Sequence, residues 1–169
     1  MALVRSGALA GYEKQVRRLG GNPVALLAQA GLTPAQLRNP NTYISYSRMA
    51  ELLELTAIDR SEACFGLLLA RQQNSSILGD LNMTVFRQPT LAEAVHTVGQ
   101  YLYLHARGAH LHQEAQGDDT LLALTIDVSS PLGIGQTMQL SIGQLANFLC
   151  ELMGLTDPSF GQLLQQAPP

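Results

Sequence analysis

In the first half of the chain, apolar residues recur at helical spacing between short polar breaks. Leu9, Tyr12, Val16 and Leu19 form an i, i+3, i+7, i+10 stripe with Arg17 and Arg18 off it, which predicts a helix over 8–19. Gly20-Gly21 ends it. Asn22 then offers a capping side chain and Pro23 suits a first helical position, so a second helix is expected over Val24–Ala30, closed by Gly31. Thr33-Pro34 repeats that device for one turn that stops before Asn39-Pro40. Ser45 or Ser47 starts a longer helix, with Met49, Leu52, Leu53, Thr56 and Ala57 on its inner face. Ala63–Ala70 is apolar almost all round, the mark of a buried helix.

After Arg71 the pattern changes. Gln72–Ser76 reads as a polar loop, and Ile77–Phe86, interrupted by Gly79-Asp80, as loop plus a short strand. Thr90 and Glu93 have capping-box spacing and open a helix whose apolar face is Leu91, Ala94, Val95, Val98, Tyr101 and Leu102. Ala109–Ala115 and Thr120–Val128 then alternate with period two. Leu111 and Gln113 lie opposite His110, His112 and Glu114, while Leu122, Leu124, Ile126 and Val128 share one face. With Gln116-Gly117-Asp118-Asp119 as the turn, this predicts an antiparallel hairpin. Gln136–Met153 is the last predicted helix, with Met138, Ile142, Leu145, Leu149 and Leu152 inward and Gly154 at its stop. The expected class is α+β: a mostly helical single domain with helices packed around a small antiparallel hairpin. Residues 1–157 are assigned to that domain and the glutamine- and proline-rich 158–169 to a tail.

Composition and charge narrow the function. At 169 residues the chain has the length of one domain, and 46% of it is hydrophobic. Only 14% is charged, against about a quarter in typical soluble domains. All ten Lys and Arg precede residue 108, where seven acids leave +3; residues 108–169 hold six acids and no Lys or Arg, giving −6. Phosphate neutralisation needs clustered cations, so this chain is not expected to bind nucleic acid by itself. No apolar run reaches bilayer length, and the first residues lack the continuous apolar stretch of a secretory signal. Cys64 and Cys150 stand alone in apolar segments and are expected to be reduced, buried thiols of a cytoplasmic protein.

Candidate chemistry is sparse. His110 and His112 share a strand face and could approach a metal with His105 or Glu114, but the spacing is not that of a three- or four-ligand site. A solvated strand face explains them. No G-x-S-x-G elbow is present, Gly133-Ile134-Gly135 lacks the further residues of a phosphate cradle, and Asp118-Asp119 fall in a turn. No catalytic residue, metal or cofactor is expected, and the chain is read as a non-enzyme. Tyr101, Tyr103, His105 and Arg107 cluster at a helix end and could line a mixed polar and apolar pocket for a small organic effector.

The series Gly21-Asn22-Pro23, Leu26-Leu27, Ala30-Gly31-Leu32, Leu37 with Asn39-Pro40, and Ile44 is followed by the helix Ala50–Ala57. Phe65-Gly66-Leu67 with Leu69-Ala70, Leu78-Gly79, and Pro89-Thr90-Leu91 with Glu93-Ala94 complete it. Over about residues 19–155 this series resembles the N-terminal effector-binding domain, of the "arabinose-binding" type, of AraC-family bacterial transcription regulators. The resemblance implies an effector-sensing, homodimerising domain in the cytoplasm, with no membrane partner. In such regulators, including activators, DNA is bound through a C-terminal domain with two helix-turn-helix motifs. This sequence stops at Pro169, before that region, and is expected to be a piece of a longer regulator. The family's effectors are diverse, so its name does not imply arabinose, and no effector-contact motif transfers residue by residue. A ligand-free protein-interaction or dimerisation module is the alternative.

Overall fold

The computed structural model describes residues 1–154, which leaves the 158–169 tail assignment outside the described residues. Strand β1 (Leu3–Arg5) leads through a 3₁₀ turn at Ser6–Leu9 into helices α1 (Tyr12–Arg18), α2 (Pro23–Gln29) and α3 (Pro34–Arg38). Strand β2 (Tyr43–Ser45) precedes α4 (Tyr46–Arg60) and α5 (Phe65–Ala70). A second 3₁₀ turn, Ser75–Leu78, is followed by α6 (Leu81–Phe86), α7 (Leu91–Tyr101) and a third 3₁₀ turn at Leu102–Leu104. The hairpin β3 (Ala109–Gln116) and β4 (Asp119–Ile126) and the long helix α8 (Gly135–Leu152) complete the α+β architecture.

The capping signals become helix starts. Asn22 accepts from the Ala25 amide at the head of α2, Thr33 and Gln36 form a capping box on α3, and Ser45 accepts from the Arg48 amide at α4. Thr90 accepts from the Glu93 amide at 3.2 Å to begin α7. The hairpin also forms as its alternation requires, with Leu111 opposite Leu124 and Gln113 opposite Leu122. Its turn is tighter than the four-residue one expected, since Gln116 pairs with Asp119 and only Gly117 and Asp118 intervene.

Several expectations are corrected. The helix placed over 8–19 is two pieces, because Gly11 sits at φ 81° between the first 3₁₀ turn and α1. Ile77–Phe86 holds no strand: Gly79, at φ 62°, separates the second 3₁₀ turn from α6. Cys64 is exposed and Cys150 half-buried, and both are free thiols, so the buried placement does not hold. On α8 the buried residues are Gln136, Thr137, Leu140, Gly143, Ala146 and Phe148, while Met138 and Ile142 are half-exposed. Leu145, Leu149 and Leu152 are partly covered. The buried face sets Leu140 and Phe148 among Gln136, Thr137, Gly143 and Ala146, and is rotated from the predicted stripe.

That choice of face follows from how closely α5 approaches. A Cβ on Gly66 would land on the Gln136 carbonyl oxygen and stand 2.9 Å from the Leu140 nitrogen. Amides tie the seam. The Gly66 amide donates to Gln136 Oε1 at 2.8 Å, Gln136 Nε2 to the Ala63 carbonyl at 2.9 Å, and Asn147 Nδ2 to the Ala70 carbonyl at 2.7 Å. Glu54 of α4 accepts from the Gln136 amide at 2.7 Å, placing a carboxylate on the otherwise uncapped start of α8.

Tyr12, Phe65, Leu27, Leu52, Leu53 and Leu69 fill the adjoining core. Tyr12 and Phe65 meet edge to face at 6.0 Å. The Tyr12 hydroxyl donates to Thr56 Oγ1 at 2.8 Å, because Thr56 itself donates to the Leu52 carbonyl. Burial raises the Tyr12 phenol well above its ordinary value and keeps it protonated.

The α5–α8 seam gives the first expected outcome. Gly66→Ala forces the two backbones apart and costs about 1–3 kcal/mol, the range for overpacking a filled interior. Urea denaturation measures it. A change within a few tenths of a kcal/mol of zero would show that the seam relaxes freely.

Candidate functional site

A cavity of about 70 Å³, partly open to solvent, lies where β1, α4, α7, the hairpin and α8 converge. Small residues create the space: Ala8, Ala106, Ala109, Ser75 and Ser141 line it between the larger Val98, Leu102, Leu145 and Phe148. The hairpin closes one side through Leu111 and Leu124, a cross-strand pair on its covered face. α8 forms another side with Ser141, Gln144, Leu145 and Phe148. The lining is chiefly apolar, which is the usual character of small-molecule sites.

Most of the polar groups at this lining already have partners. Ser75 donates its amide to Glu151 Oε1 at 2.8 Å, and its hydroxyl also bonds that carboxylate. Gln144 Nε2 donates to the Ala8 carbonyl at 3.1 Å and to Gln73 Oε1 at 2.8 Å. Burial pushes the Tyr46 phenol up to about 12, with Ser141 beside it drawing it partly back.

His105 is different. It is 6% exposed, lines the cavity, and its Nδ1 is buried with no hydrogen-bond partner among the described residues. Burial lowers its pKa to about 4, and the nearby Arg5 charge adds to that shift. The ring is therefore neutral near pH 7. Its neutral imidazole carries one donor and one acceptor nitrogen.

β1 fixes where this ring sits. One edge of β1 pairs with β2, Val4 facing Ile44. The other edge takes the chain that follows α7: the Arg5 amide donates to the His105 carbonyl at 2.8 Å, and the Arg107 amide to the Leu3 carbonyl at 2.8 Å. The Arg5 side chain, 7% exposed, donates to the Ile77 carbonyl at 2.8 Å and to Asn41 Oδ1. Gly79 packs directly on this guanidinium, where a Cβ would collide with it.

Of the four residues singled out in the sequence, only His105 lines the cavity. Tyr101 and Tyr103 are 42% and 54% exposed, and Arg107 is also on the surface. The 3₁₀ turn at Leu102–Leu104 separates them by turning Leu102 inward and Tyr103 and Leu104 outward. His110 and His112 stack at 6.4 Å on the outer hairpin face, and His110 Nε2 lies 3.3 Å from Asp127 Oδ2. His105 is on the other side, so the three imidazoles do not converge. Sequence reasoning missed Arg5, whose setting depends on a three-residue strand and a glycine seventy-four residues away.

Residues 20–160 match the family model described as the N-terminal arabinose-binding domain of AraC transcription regulators. The chain is also similar to the HTH-type transcriptional regulator VirS of Mycobacterium tuberculosis, in strains CDC 1551 / Oshkosh and ATCC 25618 / H37Rv. In each case 30% of 105 aligned residues are identical, covering 62% of this chain and 31% of the relative. The chain thus spans about a third of the length of these curated relatives.

The buried imidazole makes stability depend on pH. The unfolded chain takes up a proton on this histidine near pH 6.5, whereas the folded protein resists it until about 4. The unfolded state binds more protons in that window, so stability is full above about pH 6.5 and declines as pH falls towards 4. The decline is on the order of 3 kcal/mol from this group. His105→Leu should flatten the corresponding part of the denaturation-versus-pH curve relative to the unmodified chain. Parallel curves for the two proteins would contradict a neutral, buried His105.

Proposed function

This chain belongs to the family of N-terminal arabinose-binding domains of AraC transcription regulators, and from that premise we propose that it is the regulator's effector-sensing and dimerising part. In this reading it binds a small metabolite in the cavity at His105, forms a homodimer, and controls DNA-binding segments of a longer cytoplasmic protein. It acts as a sensor and not as a catalyst. The observation that carries the reading is the chiefly apolar cavity with His105 in its wall, whose buried Nδ1 has no hydrogen-bond partner among the described residues. His105 serves as the polar contact within it, and Tyr101, Tyr103 and Arg107 stand outside on the surface.

Helix α8 supplies the route from ligand to response. One part of it lines the cavity through Ser141, Gln144, Leu145 and Phe148, while Gln136 and Leu140 lie against Gly66 of α5. A ligand that fills the cavity favours the position of α8 that leaves room for it. The effect is a shift between arrangements already available to the domain, and its size is limited by the difference in ligand affinity between them. The charge distribution supports a division of labour, since the segment from residue 108 onward carries no Lys or Arg and contributes nothing to phosphate neutralisation.

A thermal-shift screen of amino acids, organic acids, alcohols and sugars tests the effector reading on the unmodified chain and on Leu145→Trp, which fills the cavity. At least one compound should raise Tm with concentration, by the equivalent of about 2.7 kcal/mol at a hundredfold excess over Kd, and lose its effect in Leu145→Trp. Absence of any such compound would favour a ligand-free interaction module. Light scattering should give twice the chain mass, and the chain alone should show no affinity for generic duplex DNA at low salt.

A further inference from the structure

We infer that the cavity takes an uncharged molecule built mostly of hydrocarbon, with a single hydrogen-bonding group that meets the imidazole of His105. This rests on the cavity being the effector site and names the chemistry of what enters it. The polar inventory carries the inference. Ser75 is committed to Glu151, and Gln144 Nε2 to Ala8 and Gln73. Tyr46 and Ser141 lie against one another. Among the described lining residues His105 alone has a buried ring nitrogen, Nδ1, without a hydrogen-bond partner, and the ring stands beside Val98, Leu102, Leu111, Leu124, Leu145 and Phe148.

Such a wall discriminates by chemistry. A sugar would bury several hydroxyl groups with one partner among them, and each unmatched group costs about 1–3 kcal/mol. An amino-acid zwitterion would need an anionic partner for its ammonium group. Among the described residues no carboxylate lines the cavity, the Glu151 carboxylate behind Ser75 is already met by that residue's amide and hydroxyl, and the Arg5 cation close to His105 opposes a second positive charge. A carboxylate ligand requires several donors once removed from water, and the wall has a single histidine to offer. What remains is a short aliphatic or aromatic skeleton bearing one hydroxyl or carbonyl. Size limits it: about 70 Å³ is about half the 150 Å³ of a dry protein cavity that holds benzene. The ligand is therefore compact or extends in part towards solvent.

Thermal-shift titrations with 1-hexanol, sodium hexanoate and L-arabinose at pH 7 test this on the full chain, with Leu145→Trp as the blocked form. 1-Hexanol should raise Tm in the unmodified chain and not in Leu145→Trp, with hexanoate at least tenfold weaker and arabinose without effect. His105→Leu should weaken 1-hexanol about tenfold, the value of one hydrogen bond, while toluene binding is kept. Because His105→Leu can disturb folding, the ring ¹⁵N shifts of His105 in the unmodified chain provide a second readout, and 1-hexanol should move them. Arabinose or hexanoate binding that Leu145→Trp abolishes would keep the cavity as effector site and overturn the ligand class. A 1-hexanol effect that survives in Leu145→Trp would overturn the site itself, and unmoved His105 shifts on saturation would overturn the imidazole contact.

Discussion

One buried cation organises the upper part of this fold. Arg5 has no carboxylate within ion-pair distance among the described residues, and it is held instead by the Ile77 carbonyl and the Asn41 side chain. A charge so far removed from water is tolerated only where its donors are matched. The segments carrying these acceptors must therefore arrive together. They are the turn before α6 and the loop before β2, and both meet the guanidinium that β1 carries. Gly79 is required because its positive φ and missing side chain let that turn lie flat on the guanidinium. The backbone amide of Arg5 holds the His105 carbonyl. The position of the cavity's polar group thus depends on Arg5 twice, through the strand that pairs with it and through the field that disfavours its proton.

The second constraint is the α5–α8 seam, and it explains why a cavity exists at all. Close approach at Gly66 fixes α8 by its first half. Its later residues must then lie over β1, α7 and the hairpin, where Ala8, Ala106 and Ala109 are too small to fill the gap. Gln144 and Asn147 hold this half by amides on Ala8, Ala70 and Gln73. An apolar interior is normally packed to crystal-like density, so a gap bounded by small residues beside a rigid seam is a built feature. Removing it would take only a few larger side chains.

Legibility in the sequence followed the range of the interaction. The caps at Asn22, Thr33, Ser45 and Thr90 act over three residues, and each was readable with its helix. The hairpin was readable because eight-residue strands show a period. β1 and β2 have three residues each, too short for any period, and their pairing spans some forty positions. The inward face of α8 was misread for a related reason: the leucine stripe obeys the helical period, but the seam at Gly66 sets the rotation of the helix. At the candidate site, His105 was legible as one of four residues at a helix end that could line a pocket. Its separation from Tyr101, Tyr103 and Arg107 was not, since a 3₁₀ turn rotates neighbours differently from an α-helix.

The size of the cavity limits how a sensor of this kind can work. Each buried methylene contributes about 0.8 kcal/mol, so a skeleton of about six carbons, even if buried completely, gains on the order of 5 kcal/mol. Moving a two-state equilibrium fully from one side to the other takes about 5.5 kcal/mol of differential affinity. The two are comparable only if nearly all the burial is lost in the competing arrangement. In the proposed reading, that arrangement is one in which Leu145 and Phe148 collapse against Leu111 and Leu124 and leave no space. A cavity merely reshaped between states would waste most of the ligand's binding energy on both. Lever and pocket must then be the same residues of α8, which is how they are placed here.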